Sequence, residues 1–296
     1  MLHFLPAFIL YPICFILFCL NLAVSGSIIF IGGLLKFLLP FKPVHNALYE
    51  PMHAIFRFWA INNFLVMSLA NDIEWQITGD ENLNKQSWYL VISNHISWMD
   101  IFVIAHIARS RIPEPKFFLK ESLKRVPFLG MACWALDMPF MKRYSREFIA
   151  KNPQLKGKDI ATTKRSCEKF KNKPTSIMNY IEGTRFTPSK NSCATFKHLL
   201  PPKAGGIAFT LATMGEQFDK VLNITLCYPD NTGHVMNDLL AGRVKRIVVH
   251  IEQIDITEEI IGDYFNDERF KTNFQLWLNT LWQEKDNRLA KILNSK

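Results

Sequence analysis

The chain has 296 residues, of which 49% are hydrophobic, with a mean hydropathy of +0.04 and a formal charge of +9. That length fits one large domain plus an appended segment, or two small domains, and the charge suits phospholipid headgroups, phosphorylated substrates or nucleic acid. The six cysteines (Cys14, Cys19, Cys133, Cys167, Cys193, Cys227) form no C-x-x-C pair, which points to reduced intracellular thiols and argues against a zinc site or a disulfide framework.

From Ala7 to Leu39 the only charged residue is Lys36. As one straight helix this segment would run ~50 Å at ~1.5 Å per residue, against a hydrocarbon core of ~30 Å. It reads as one span with an interfacial extension, or as a bent hairpin that breaks at Asn21 or Ser25-Gly26-Ser27. The first residues carry no Lys or Arg, and the apolar run continues past Ala23-Val24-Ser25. An uncleaved anchor is therefore expected rather than a signal peptide. Lys36 and Lys42 place the following domain on the cytoplasmic side in either geometry. Residues 45–70, with Phe56, Phe58, Trp59, Ile61, Phe64, Leu65 and Met67, read as a second helix, either interfacial or part of the core.

Strands and helices then alternate. Strands are expected at Trp75–Thr78, Trp88–Ser93, Lys116–Lys120, Met138–Met141, Ser176–Ile181, Val221–Tyr228 and Arg243–Ile251. Helices are expected over Trp98–Ile107, from Glu121, over 158–171, over Ala204–Met214, and from Asn266-Asp267 to about Leu293, where those two residues are good N-caps. The apolar stretch Val126–Met141 is too short to span a bilayer and reads as a helix–strand unit, with Trp134 and Phe140 in the core. Such alternation predicts an α/β domain with a mixed, largely parallel sheet flanked by helices. The expected organisation is an anchor over 1–44, an interfacial helix over 45–72 and the α/β domain over 73–296.

The sequence places His95 and Asp100 where the strand Trp88–Ser93 hands over to a helix, the edge at which α/β folds bind ligands. A general base needs a partner that holds its tautomer and stabilises the imidazolium, and Asp100 lies within reach. Glu182-Gly183-Thr184-Arg185 follows the strand Ser176–Ile181. Gly allows close backbone approach and Arg offers a planar fork for phosphate; the competing reading is a plain turn with an exposed ion pair. Arg143 ends the strand Met138–Met141, with Lys142, Tyr144 and Arg146 around it. Ser97 reads as a helix N-cap and Cys133 as a core thiol.

Together these blocks resemble the phospholipid-biosynthetic acyltransferase family typified by 1-acylglycerol-3-phosphate acyltransferase. Its Asn-His-x4-Asp block is intact at Asn94, His95 and Asp100, and its Glu-Gly-Thr-Arg block at Glu182–Arg185. The second block keeps Phe140 and Arg143, and a fourth falls on Val221–Thr225. The chain looks most like the bacterial membrane-anchored branch called YihG, through Val126–Asp137 and His198–Lys203. Three residues depart from the family pattern: Asp137 for Gly, Ile181 for Pro and Asn223 for Pro. They touch substrate choice rather than the His–Asp machinery.

The resemblance implies transfer of a fatty acyl group from acyl-coenzyme A or acyl carrier protein to the free hydroxyl of a lysophospholipid, most simply lysophosphatidate. His95 and Asp100 would be catalytic, and Arg143, Glu182, Gly183, Thr184, Arg185 and Lys120 would bind substrate, with Lys203 a further phosphate contact. No metal or other cofactor is implied; the acyl thioester is a co-substrate. The expected setting is the cytoplasmic side of a bacterial inner membrane. Rival readings are another lysophospholipid or aminolipid acceptor, and a lipid-binding protein on the same scaffold. A metal hydrolase is disfavoured because no second His has ligand-like spacing, and nucleic-acid binding because of the anchor and scattered aromatics. Lys158, Lys164, Arg165, Lys169, Lys171 and Lys173 read as a solvated or headgroup-facing surface.

Overall fold

In a computed structural model, residues 2, 4–141, 173–191, 195–231 and 233–294 are described. Arg143, Lys142, Tyr144, Arg146 and the helix expected over 158–171 lie outside them. The apolar start forms one unbroken helix, α1 (Ala7–Leu38), followed by α2 (Lys42–Ala70). The chain reverses at Leu39–Phe41 and not at Ser25–Ser27, so of the two geometries open for residues 7–39 the single helix is the one formed and the bent hairpin is not. The reason is visible at the polar residues. Asn21 Nδ2 donates to Trp59 O at 3.0 Å and to Asn63 Oδ1 at 2.8 Å. These residues join α1 to α2, where interhelical polar bonds stabilise a helix pair.

The strands are β1 (Glu74–Thr78), β2 (Tyr89–Ser93), β3 (Pro115–Phe117), β4 (Leu119–Lys120), β5 (Phe140–Met141), β6 (Ser176–Tyr180), β7 (Lys220–Cys227) and β8 (Arg246–Asp255). Six form a sheet in the order β1-β8-β7-β2-β6-β3, parallel throughout except for β7 with β8. This is the mixed, mostly parallel sheet expected. β2 is central and all five of its residues are buried, as an apolar strand covered on both faces must be.

The remaining described α-helices are α3 (Met99–Arg111), α4 (Leu129–Ala135), α5 (Ala204–Met214), α6 (Val235–Leu240) and α7 (Glu268–Asn294). They cover both faces of the sheet. Tyr89 and Val91 point into a cluster with Leu10, Phe18, Met67, Val103, Ala132 and Leu239. Leu90 and Ile92 point into a second cluster with Ile207, Leu211, Phe274, Leu278 and Trp282. α1 and α2 thus share the first core and lie on the domain.

Two expected strands change shape. Lys116–Lys120 splits: β3 stays in the main sheet, while β4 turns away to pair in parallel with β5 as a separate two-stranded sheet. The last strand begins at Arg246, because Val244 N donates to the Asn71 side chain at 2.9 Å instead of joining the ladder. Asp267 caps α7 as its residue type suggested, accepting from Arg269 N and Phe270 N at 2.9 and 3.0 Å. Trp134, expected in the core, is 41% exposed and sits against Phe30 and Phe37 of α1. Cys133 is buried as expected, which pushes its thiol up to about 12.

Candidate active site

The loop after β2 is fixed at its first residue. Asn94 Nδ2 donates to Leu226 O and Leu226 N donates to Asn94 Oδ1, both at 2.9 Å. The amide side chain thereby imitates a backbone pairing across to β7. His95 follows, with its side chain 16% exposed.

Asp100 lies in the first turn of α3 and is fully buried. Its Oδ2 accepts from His95 Nδ1 at 2.7 Å, Ile96 N at 2.6 Å and Ser97 N at 2.9 Å. Its Oδ1 accepts from the Tyr228 hydroxyl at 2.7 Å. Four donors satisfy the buried carboxylate, as burial of a charge requires, and the α3 N-terminus also favours an anion. A His95 Nδ1–H directed at Asp100 leaves Nε2 with the free lone pair of a base. The imidazole is stacked on Tyr180, with ring centroids 4.0 Å apart. Ser97 Oγ accepts from Met99 N at 3.3 Å, which occupies it locally.

The second loop is tied to the first by Phe186 N, which donates to His95 O at 2.7 Å. Gly183 has φ +74°, and this left-handed turn favours glycine; Lys203 Nζ lies beside it, 2.9 Å from where a Cβ would stand. Arg185 and Thr184 are exposed. The Arg185 guanidinium stands 5.0 Å over the Trp98 ring, and Lys190 Nζ donates to Thr184 Oγ1 and Arg185 O, each at 3.1 Å. Arg185, Lys190 and Lys203 therefore surround this loop with cations.

Glu182 faces the other way. It is 1% exposed, and its oxygens make no hydrogen bond of good geometry among the described residues, with the amides of His95 and Leu200 nearby. The exposed ion pair considered from the sequence is not formed. Burial, with some help from Asp100, pushes its carboxyl up to about 8, although Lys285 and the amides of His95 and Leu200 favour the charged form. Lys285 of α7 is itself fully buried and donates to Ile224 O at 2.7 Å. Lys120 is exposed on β4, which continues from β3; β3 in turn pairs with β6, the strand leading to Tyr180 and Glu182.

The structure thus brings His95 to Asp100 and Arg185 to Trp98, and leaves Lys120 on the neighbouring two-stranded sheet. Sequence reasoning missed Tyr228, Tyr180, Lys190 and Lys285. A faint signal existed for two of them, since Tyr228 ends the fourth block's strand and Tyr180 directly precedes Ile181-Glu182.

The Acyltransferase family model matches residues 74–225, which hold the His95–Asp100 pair and the Glu182–Arg185 loop. The chain belongs to the Acyltransferase family.

This acyltransferase is similar to "1-acyl-sn-glycerol-3-phosphate acyltransferase" of Saccharomyces cerevisiae, at 32% identity over 204 residues, covering 67% of this chain and 58% of the yeast protein. It is 24% identical over 298 residues to "Lysocardiolipin acyltransferase 1" of Danio rerio, covering 95% of this chain and 71% of that protein. Its fold matches the crystal structure of the 1-acyl-sn-glycerophosphate (LPA) acyltransferase PlsC from Thermotoga maritima. The TM-score is 0.60 at 17% identity, over 96% of this chain and 95% of the other. His95 and Asp100 of this acyltransferase thus lie just beyond the end of the central strand β2 in a PlsC-like fold.

Proposed function

We propose that this acyltransferase moves a fatty acyl group from acyl-coenzyme A or acyl carrier protein to the free hydroxyl of a lysophospholipid, with lysophosphatidate as the first acceptor and phosphatidate as product. The observation that carries this reading is the 2.7 Å contact between His95 Nδ1 and Asp100 Oδ2, which directs Nε2 outward as a base. His95 takes the acceptor's hydroxyl proton as the oxygen attacks the thioester carbonyl, a role worth roughly 10²–10⁴-fold. The tetrahedral intermediate collapses with expulsion of the thiolate, which regains a proton from His95. Arg143, Arg185 and Lys120 hold the acceptor's phosphate, assisted by Lys203. Gly183 and Thr184 shape the loop, and Glu182 supports it from the interior. The YihG-like assignment rests on the sequence blocks quoted above.

The same protein sits on a bilayer, we propose, without crossing it. α1 contacts the domain along its whole length, from Leu10 beside Gly242, through Phe18 on Phe102 and Gly26 on Phe128, to Lys36 on Asp137. Phe128 follows Lys124 and Arg125 closely. If α1 crossed the membrane upright, these charges would lie near the bilayer centre, at a cost of roughly 3 kcal/mol or more each. A helix lying in the interface avoids this cost, and α1 presents Phe8, Phe15, Leu20, Val24, Ile28, Ile31, Leu35 and Leu38 outward for it. The cytoplasmic face of a bacterial inner membrane fits the free thiols of Cys14, Cys19, Cys133 and Cys227 and the carriers named above.

Detergent-purified protein and its His95→Ala variant, incubated with labelled acyl-coenzyme A or labelled acyl carrier protein and a panel of lysophospholipids, test the reading. Transfer to lysophosphatidate that is lost in the variant is the expected result. Transfer only to another acceptor, such as a lysocardiolipin, moves the substrate and keeps the mechanism. No transfer from either donor would leave a lipid-binding protein as the better account.

A further inference from the structure

Lys36 is the only charged residue of α1, and it does not face outward. Its Nζ lies 2.6 Å from Asp137 Oδ2 and donates to Ala135 O at 3.1 Å. Asp137 adopts φ +58°, a left-handed conformation that disfavours residues other than glycine. An aspartate in a conformation that glycine adopts more readily is therefore held against the lysine of the apolar helix.

The loop this pair secures carries β5. Leu119 N donates to Pro139 O at 2.9 Å, and β4 and β5 pair over two residues each, Leu119 with Phe140 and Lys120 with Met141. Strands this short do not hold one another in place unaided. Their position comes from the loop before β5, which Lys36 ties at Ala135 and Asp137 and Lys116 Nζ ties at Leu136 O, 2.8 Å away. Lys120 stands exposed at the end of that pair.

We propose that Lys36 and Asp137 are positioning residues that couple the membrane-facing helix α1 to the acceptor's phosphate site by fixing the β4–β5 pair and Lys120. This rests on the reading of Lys120 as a phosphate contact. Through it, the helix that lies on the bilayer sets affinity for the acceptor, and the departure from glycine at position 137 has a function. Neither side chain touches the reacting atoms, so the effect falls on acceptor binding.

The variants are Lys36→Met, Lys36→Arg and Asp137→Gly in the full chain. Lys36→Met and Asp137→Gly are expected to raise the acceptor's KM about tenfold with kcat held within about twofold, while Lys36→Arg stays near the parent. Asp137→Gly should do so without lowering Tm, because glycine accepts the left-handed conformation. Independently of activity, exchange of the Leu119 amide should quicken in Lys36→Met and Asp137→Gly. Unchanged Leu119 exchange would overturn the coupling. So would unchanged KM in a parent that acylates lysophospholipids, or a fall in kcat that merely tracks Tm. If the parent acylates no acceptor while Leu119 exchange still quickens, the coupling stands and the functional reading fails.

Discussion

Asp100 shows how a short local pattern and a distant contact divide the work at one residue. Its bonds to His95, Ile96 and Ser97 lie within five positions, and the one to His95 was implied by spacing. Its bond to Tyr228 spans 128 positions and was not. A hydrogen bond to a charged group contributes roughly 1.5–3 kcal/mol. Tyr228→Phe is therefore expected to lower kcat by about tenfold or more and to leave the acceptor's KM unchanged, since Tyr228 is buried away from solvent. Steady-state kinetics on the two substrates check this. Glu182 offers a pH signature. Its ordinary value of 4.5 rises to about 8 in the fold, so between those values the folded chain keeps a proton that the unfolded chain releases. Stability from this group is complete below about pH 4.5 and declines as pH rises through about 8. Glu182→Gln should remove that decline, read as the difference between the Tm-versus-pH curves of variant and parent.

At the scale of elements, apolar pattern and capping located most segments to within a few residues, and α5 at Ala204–Met214 lies where it was expected. The errors have a common cause. Ser25-Gly26-Ser27 offers a place for the helix to break, yet here Gly26 lets Phe128 come close instead. Asn71 ends α2 and also takes the amide of Val244 out of the β8 ladder, an effect of a residue far away in the sequence. Gly33 lies so near Ala135 that any side chain would collide. Gly33→Leu is expected to push α4 from α1 and cost roughly 1–3 kcal/mol, measured as a lower Tm in detergent. An unchanged Tm would mean that the α1–α4 contact is loose.

For the whole molecule, the proposed placement of α1 on a bilayer is the feature to test. If it lies in the interface, single cysteines replacing Phe8, Leu20 and Leu35, each carrying a fluorescent label, should be quenched by lipids brominated at one common shallow depth. A helix crossing the membrane would instead give a deepest label at position 20, and that result would overturn the interfacial reading. The sequence alone determined the apolar first helix, the α/β class, the His95–Asp100 pair and the Glu182–Arg185 block, because each is written in residues that are neighbours along the chain or in a strand-to-helix period. Only the tertiary structure decided that Tyr228 completes the shell around Asp100, that Glu182 turns inward toward Lys285, and that Lys36 is bound to Asp137. Those outcomes depend on the strand order β1-β8-β7-β2-β6-β3 and on which helices cover each face of the sheet. That arrangement is set by packing between segments far apart in sequence, and no local pattern encodes it.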